Sequence, residues 1–270
     1  MATALMREAQ RLLAEARRRT GTASPLLEQL RQDPALVMTR AGLAPDAWQR
    51  TALSSRSSRV LWLASRQSGK STTAAALAVR EALLVPRSLT LLLSPTQRQS
   101  SELFRKVMDL FGALSRPVGV LAESVLRIEL DNGSRVVSLP GVEATVRCYS
   151  GVGLLVIDEA ARVADPLYRA VRPMLATSRG RLVCISSAWA KQGWFFEAWG
   201  TGAGWERVKV TASECPRISP EFLEEEREAL GPRWYAMEYL CEFGDAVDAV
   251  FRGEDIAAML DTDVEPLFVG

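Results

Sequence analysis

Residues 59–80 read Arg59-Val-Leu-Trp-Leu-Ala-Ser-Arg-Gln-Ser-Gly-Lys-Ser-Thr-Thr-Ala-Ala-Ala-Leu-Ala-Val-Arg80, and the rest of the architecture is organised around them. An apolar run, a small polar loop and an alanine-rich segment predict a buried strand, a tight turn and a helix, with Gly69-Lys70-Ser71-Thr72 at the turn. Successive backbone N–H groups in such a loop, added to the positive end of the helix dipole, form a concavity suited to a polyphosphate. Gly69 permits close backbone approach, Lys70 can reach β- and γ-phosphates, and the Ser71 hydroxyl is placed to ligate Mg²⁺. The usual pattern, G-x-x-x-x-G-K-[ST], has glycine where this chain has Ala64. Taken alone, Gly-Lys-Ser also reads as the N-cap of an alanine-rich helix.

Further along, Gly153-Leu-Leu-Val-Ile-Asp158-Glu159-Ala-Ala is an apolar run closed by two carboxylates. The run suits a central parallel strand buried on both faces. Two carboxylates at its end are costly to bury unless they hold a metal or do chemistry. Asp158 is expected in the Mg²⁺ shell, and Glu159 is expected to orient and activate the attacking water. The competing reading of Asp158 is a cap for a helix beginning near Ala160.

Outward from these segments, strands at 59–63, 89–93, 153–157 and 181–185 alternate with helices at 70–84, 97–113 and 165–175. That order predicts a mostly parallel sheet flanked by helices, with its site at the strands' carboxyl ends. Between them, residues 119–148 read as antiparallel hairpins, and 126–139 alternate around Asn132-Gly133, a strong hairpin signal. Residues 1–20 read as an amphipathic basic helix, 26–33 as a second helix, and Asp46 onward as a third.

With 270 residues and 48% hydrophobic content the chain can bury a full core. The absence of histidine excludes histidine-based triads, and Cys148, Cys184, Cys215 and Cys241 lack metal-ligand spacing. They are expected to be reduced core residues. No apolar window reaches a membrane span, so a soluble intracellular protein is expected. The net charge is +1, and all but four of the 33 basic residues (Lys70, Lys106, Lys191 and Lys209) are arginines.

The ordered segments Ser65–Thr72, Leu93-Ser-Pro-Thr-Gln97, Arg147-Cys-Tyr-Ser150, Leu155–Ala161 and Ile185-Ser-Ser-Ala-Trp189 resemble the ATPase domain of the phage large terminase subunit. The likeness runs from about Trp48 to Phe251. It implies a P-loop NTPase of the RecA-like class, with hairpin strands added and an N-terminal helical segment. The implied organisation is a helical segment at 1–45, an ATPase domain at 46–250 and a linker at 251–270 leading toward a nuclease. Because the chain stops at Gly270, either a motor-domain fragment or a split subunit is expected, and Asp261, Asp263 and Glu265 read as solvated tail charges.

The resemblance also assigns roles. Ser65, Arg66, Gln67, Ser68, Gly69, Lys70, Ser71 and Thr72 would hold ATP, with Arg66 sensing the γ-phosphate. Gln49 would read adenine. Ser186 and Ser187 would couple hydrolysis to movement, a plain strand-end turn being the alternative. Arg147 would be a finger acting on a neighbouring subunit's ATP, against a reading as a salt bridge to Glu143. The implied partners are double-stranded DNA, a portal protein, a small terminase subunit and further copies of the chain in a ring, in the host cytoplasm. Candidate DNA contacts are Arg98, Arg105, Lys106, Arg127 and Arg135. A helicase-like remodelling ATPase and a nucleotide-gated switch without turnover stay open beside the motor. The five aromatics Trp194, Phe195, Phe196, Trp199 and Trp205 read as a core cluster.

Overall fold

The structure is a computed structural model that describes residues 24–141, 146 and 148–245. The expected helix at 1–20, Glu143, Arg147 and the tail beyond 245 lie outside the described residues.

Eight strands form one sheet: β1 (Arg59–Ala64), β2 (Leu89–Ser94), β3 (Val120–Glu123), β4 (Arg127–Leu130), β5 (Arg135–Pro140), β6 (Leu154–Asp158), β7 (Arg181–Ser186) and β8 (Glu206–Val210). Their order is β3-β4-β5-β2-β6-β7-β1-β8. From β5 to β8 all neighbours are parallel, and β3 and β4 continue the sheet antiparallel. The helices are α1 (Pro25–Gln32), α2 (Leu36–Arg40), α3 (Ala47–Ser54), α4 (Lys70–Leu84), α5 (Gln97–Ala113), α6 (Asp165–Val171), α7 (Gly193–Gly200) and α8 (Pro220–Tyr239), the last kinked at Gly231-Pro232.

The central strands are apolar on both sides because both faces are covered. In β1, Val60 and Trp62 enter the core beneath α1, α2, α4 and α5, whereas Leu61 and Leu63 enter the core on the opposite face. In β6, Leu154 and Val156 take the first side, and Leu155 and Ile157 the second. Period-two alternation thus feeds two cores rather than one.

The Asn-Gly turn lies between β4 and β5, with Gly133 at φ 82° and Ser134 N–H donating to the Asn132 side chain at 2.9 Å. Sequence periodicity finds this hairpin but not its anchorage, which is the parallel pairing of β5 with β2. Four elements escape the sequence reading: helix α2, edge strand β8 and helices α7 and α8. β8 reads Glu-Arg-Val-Lys-Val, more charged than apolar, because an edge strand is exposed along one side.

Of the aromatics expected in the core, Trp194 and Phe195 are buried there, and Phe196, Trp199 and Trp205 are half-buried at its margin. Trp194 stacks on Tyr168 with ring centroids 3.8 Å apart, and its indole N–H donates to the Val163 carbonyl at 2.8 Å. Of the cysteines, Cys184, Cys215 and Cys241 are buried, whereas Cys148 is exposed, contrary to the expectation that all four are core residues. Cys148 sits in a turn past the hairpin rather than on a strand, so no sheet face covers it.

Candidate nucleotide site

Strand β1 delivers the chain to the carboxyl edge of the sheet, and α4 starts at Lys70. The loop between them is pinned at both shoulders by segments from far along the sequence. Ser65 N–H donates to the Val210 carbonyl at the end of β8, and Arg66 N–H donates to the Glu238 carbonyl in α8, both at 2.9 Å. Within the loop, the Ser68 hydroxyl donates to the Ser65 carbonyl at 2.7 Å. Gln67 and Gly69 both have positive φ, at 58° and 87°. These reversals fold the loop over the first amides of α4, whose N–H groups have no partner inside the helix.

Gly69 is required by contact as well as by conformation. A Cβ there would lie 2.7 Å from the Gln49 side-chain nitrogen. Gln49 is buried, its carbonyl accepts from Asp46 N–H at 2.8 Å, and its amide donates to the Thr73 hydroxyl at 3.0 Å. It therefore caps α3 and braces α4 at once.

The acidic pair arrives on β6. Between β1 and β6 lies a single strand, β7. Lys70 and Glu159 nonetheless meet, with Nζ 3.7 Å from Oε1, and both side chains are largely buried. Asp158 is 6% exposed. Burial first, and then the adjacent Glu159 charge, push its carboxyl up to about 6, against the pull of Lys70. Glu159 sits at φ 49°, in the left-handed region that a non-glycine residue enters at a cost of about 1–3 kcal/mol. Its N–H donates to Asp158 Oδ1 at 3.0 Å, so the reversal separates the two carboxylates while the backbone holds the first.

Ser186 and Ser187 stand at the end of the intervening β7, both buried. The Ser186 hydroxyl accepts from Ala161 N–H at 3.2 Å, tying β7 to the 3-10 turn Ala160–Arg162 that follows the acidic pair. Ser71 and Thr72 occupy the first turn of α4, half-buried. A hydroxyl at Ser71 and a carboxylate at Asp158 are hard oxygen donors of the kind Mg²⁺ takes, and a buried carboxylate raised by its neighbour gains most from a cation, so the residues fit that ion.

Three further residues shape the site that no local motif signals. Glu238, buried in α8, accepts from Arg162 Nη2 at 3.2 Å and lies 4.0 Å from Arg66 Nε. Arg162 in turn lies 4.3 Å from the centre of the Trp189 ring. Arg217 donates to the Ser68 carbonyl at 3.0 Å and to Asp46 at 2.6 Å, so it bridges the phosphate loop and the cap of α3. An Arg or Glu in a charged stretch carries no signature of such a task; only the return of residues 210–240 to the loop reveals it.

Of the candidate DNA contacts, Arg105 pairs with Glu102 and Arg127 with Glu129, Arg98 is exposed, and Arg135 is half-buried at the start of β5. Lys106 is not a surface charge. It is half-buried, burial holds its ammonium below the usual lysine range, and Asp158 and Lys70 are close enough to act on it.

A strand, a pinned glycine loop and helix facing an acidic pair two strands away define a P-loop ATPase with one strand inserted between its phosphate loop and its acidic pair. The chain belongs to the large terminase subunit family: the family described as "Terminase large subunit, T4likevirus-type, N-terminal" matches residues 61–258. No curated protein sequence matches the chain. Among solved structures, the large terminase ATPase domain of Thermus phage P74-26 is similar at TM-score 0.68 and 20% identity, over 76% of this chain and 96% of that one. The large terminase of a thermophilic bacteriophage in complex with ATP-γ-S gives TM-score 0.60 at 12% identity, over 73% of this chain and 52% of that one. The large terminase of bacteriophage HK97 gives 0.62 at 13%, over 74% of this chain and 51% of that one. At these identities the likeness speaks for the fold.

Proposed function

We propose that this chain is the ATP-hydrolysing motor domain of a terminase, which turns ATP hydrolysis into movement of double-stranded DNA into a procapsid. The observation that carries the chemistry is the meeting of Lys70 and Glu159, from two separate strand ends, beside buried Asp158.

In the structure Lys70 neutralises Glu159. Polyphosphate lying along Ser65–Thr72 offers Lys70 a stronger partner, so its ammonium moves to the β- and γ-oxygens. The freed Glu159 carboxylate then orients the attacking water and takes its proton. Mg²⁺ held by Ser71 and Asp158 would offset charge on the phosphate oxygens. Arg66 reads the γ-phosphate by exchanging Glu238 for it, and Ser186, already bonded to the turn after Glu159, passes the change along β7. Gln49 serves the loop from beneath Gly69, with an acceptor and a donor position left for adenine.

Arg147 as a finger in trans, a homo-oligomeric ring, and a portal protein and small terminase subunit as partners complete the proposal on the strength of the family. The described helices offer none long and apolar enough to cross a membrane.

The test is specific ATPase activity against protein concentration for the wild type, Glu159→Ala and Arg147→Ala. Activity that climbs with concentration and collapses in both variants is the expected result. Activity indifferent to concentration and to Arg147→Ala would remove the finger, and no turnover at any concentration would remove the motor.

A further inference from the structure

At the opposite end of the sheet from the phosphate loop, an open cleft of about 600 Å³ is bordered by Arg59, Arg169, Arg172 and Arg179. Arg59 opens β1, Arg169 lies on α6, Arg172 begins the 3-10 turn that follows it, and Arg179 precedes β7. Pro173 and Leu175 add apolar surface, and no Asp or Glu lines the cleft.

The charge is poorly compensated. Arg169 has Asp165 at 3.7 Å. Arg172 packs over the Tyr168 ring, at 5.6 Å from its centre, and the described residues place no carboxylate within ion-pair distance of Arg59, Arg172 or Arg179. Arg179 is moreover held at φ 50°, in the left-handed region. That these residues are arginines carries no weight in a chain with only four lysines. What counts is that four of them converge on one concavity with a single carboxylate among them.

Four guanidiniums lining one concavity give it a positive potential that favours an anion. One carboxylate would answer one guanidinium, whereas a phosphate presents several oxygens and a higher charge to several forks at once. The volume lies in the range of ligand sites. We propose that this cleft is a second phosphate-binding site, separate from the phosphate loop, for either the backbone of duplex DNA or a free polyphosphate. The duplex source rests on the packaging reading above; the polyphosphate source does not.

The experiment uses the full chain carrying Lys70→Ala, which silences the phosphate loop, with and without Arg172→Glu and Arg179→Glu. Both substituted arginines are exposed, and thermal melting checks that the fold is kept. Two probes are titrated across salt concentrations: a short fluorescent DNA duplex and inorganic triphosphate. Loss of duplex affinity by about tenfold or more, with a salt slope shallower by about two, is expected for a DNA-backbone site. Loss confined to triphosphate identifies the free polyphosphate instead. A matched pair, Arg98→Glu with Arg105→Glu, controls for net charge. If neither probe weakens, or if the control weakens both equally, the cleft proposal is overturned. With Lys70 intact, the cleft variants should still hydrolyse ATP, so failure of the cleft and failure of the ATPase reading are separable.

Discussion

The two ends of the sheet treat charge in opposite ways. At the carboxyl ends each buried ion faces a partner from a distant segment: Lys70 meets Glu159, Glu238 is shared by the exposed Arg66 and Arg162, and Asp46 is held by the exposed Arg217. At the amino ends four arginines ring an open cleft, and Asp165 is the one carboxylate paired among them in the described residues. Burial explains the contrast. Carboxylates buried at the carboxyl ends need counter-charges in low dielectric, whereas the exposed arginines of the cleft are solvated and need none.

Removing a counter-charge at the carboxyl end tests this contrast most severely. Glu159→Gln should lower ATP turnover by roughly 10²- to 10⁴-fold, the usual worth of a general base. Since the same change frees Lys70, ATP-γ-S should bind at least as tightly as to the wild type. Equilibrium titration beside steady-state kinetics checks both halves, and weaker binding would undo the proposed exchange of partners.

Next in size is Asp158. Its carboxyl holds a proton more tightly in the folded protein, at about 6, than its ordinary value of 3.8. The stability this gives is fully present below 3.8 and is lost as pH rises through about 6. Metal-free Asp158→Asn should therefore be more stable than the wild type by about 3 kcal/mol above about pH 7, and the gain should vanish near pH 4. Urea titrations in chelator at the two pH values measure it. Turnover should be lost at either pH.

Glu238→Ala leaves Arg162 and Arg66 without their shared carboxylate. Because both guanidiniums are partly exposed, the cost should be about 1–2 kcal/mol rather than that of a fully buried pair. The Michaelis constant for ATP should shift with it, as Arg66 loses its resting position, while Glu238→Gln restores much of the stability. Smallest of all, Arg172→Ala at the amino end and Arg105→Ala on α5 should each change stability by less than about 0.5 kcal/mol. Chemical denaturation measures all of these, and a destabilisation at Arg172 comparable to that at Glu238 would erase the contrast between the two ends.

Much of the carboxyl end is legible in the sequence because its parts are local. The phosphate loop needs glycine, lysine and a hydroxyl within a few consecutive residues, and Asp158-Glu159 closes an unbroken apolar run. The Asn132-Gly133 hairpin is equally readable, since two residues set the turn. What escapes depends on distance in sequence. Arg217 and Glu238 reach the loop across some 150 to 170 residues, and nothing in their own neighbourhoods marks them apart from other charges. β8 is hidden because an edge strand does not need the apolar character that betrays a central one. Lys106, read as a surface contact for DNA, is half-buried on α5, where burial holds its ammonium below the usual lysine range.

Residue order alone was enough for the principal strands and helices, the parallel sheet and the candidate residues of the nucleotide site, because periodicity and short-range spacing are set by backbone geometry within a few residues. Folding in three dimensions was needed to put β7 between the phosphate loop and the acidic pair, to bring α8 to the phosphate loop, and to gather four scattered arginines at one cleft. Those outcomes follow from which faces must be covered and which strands pair, and such demands are met by residues far apart in the chain.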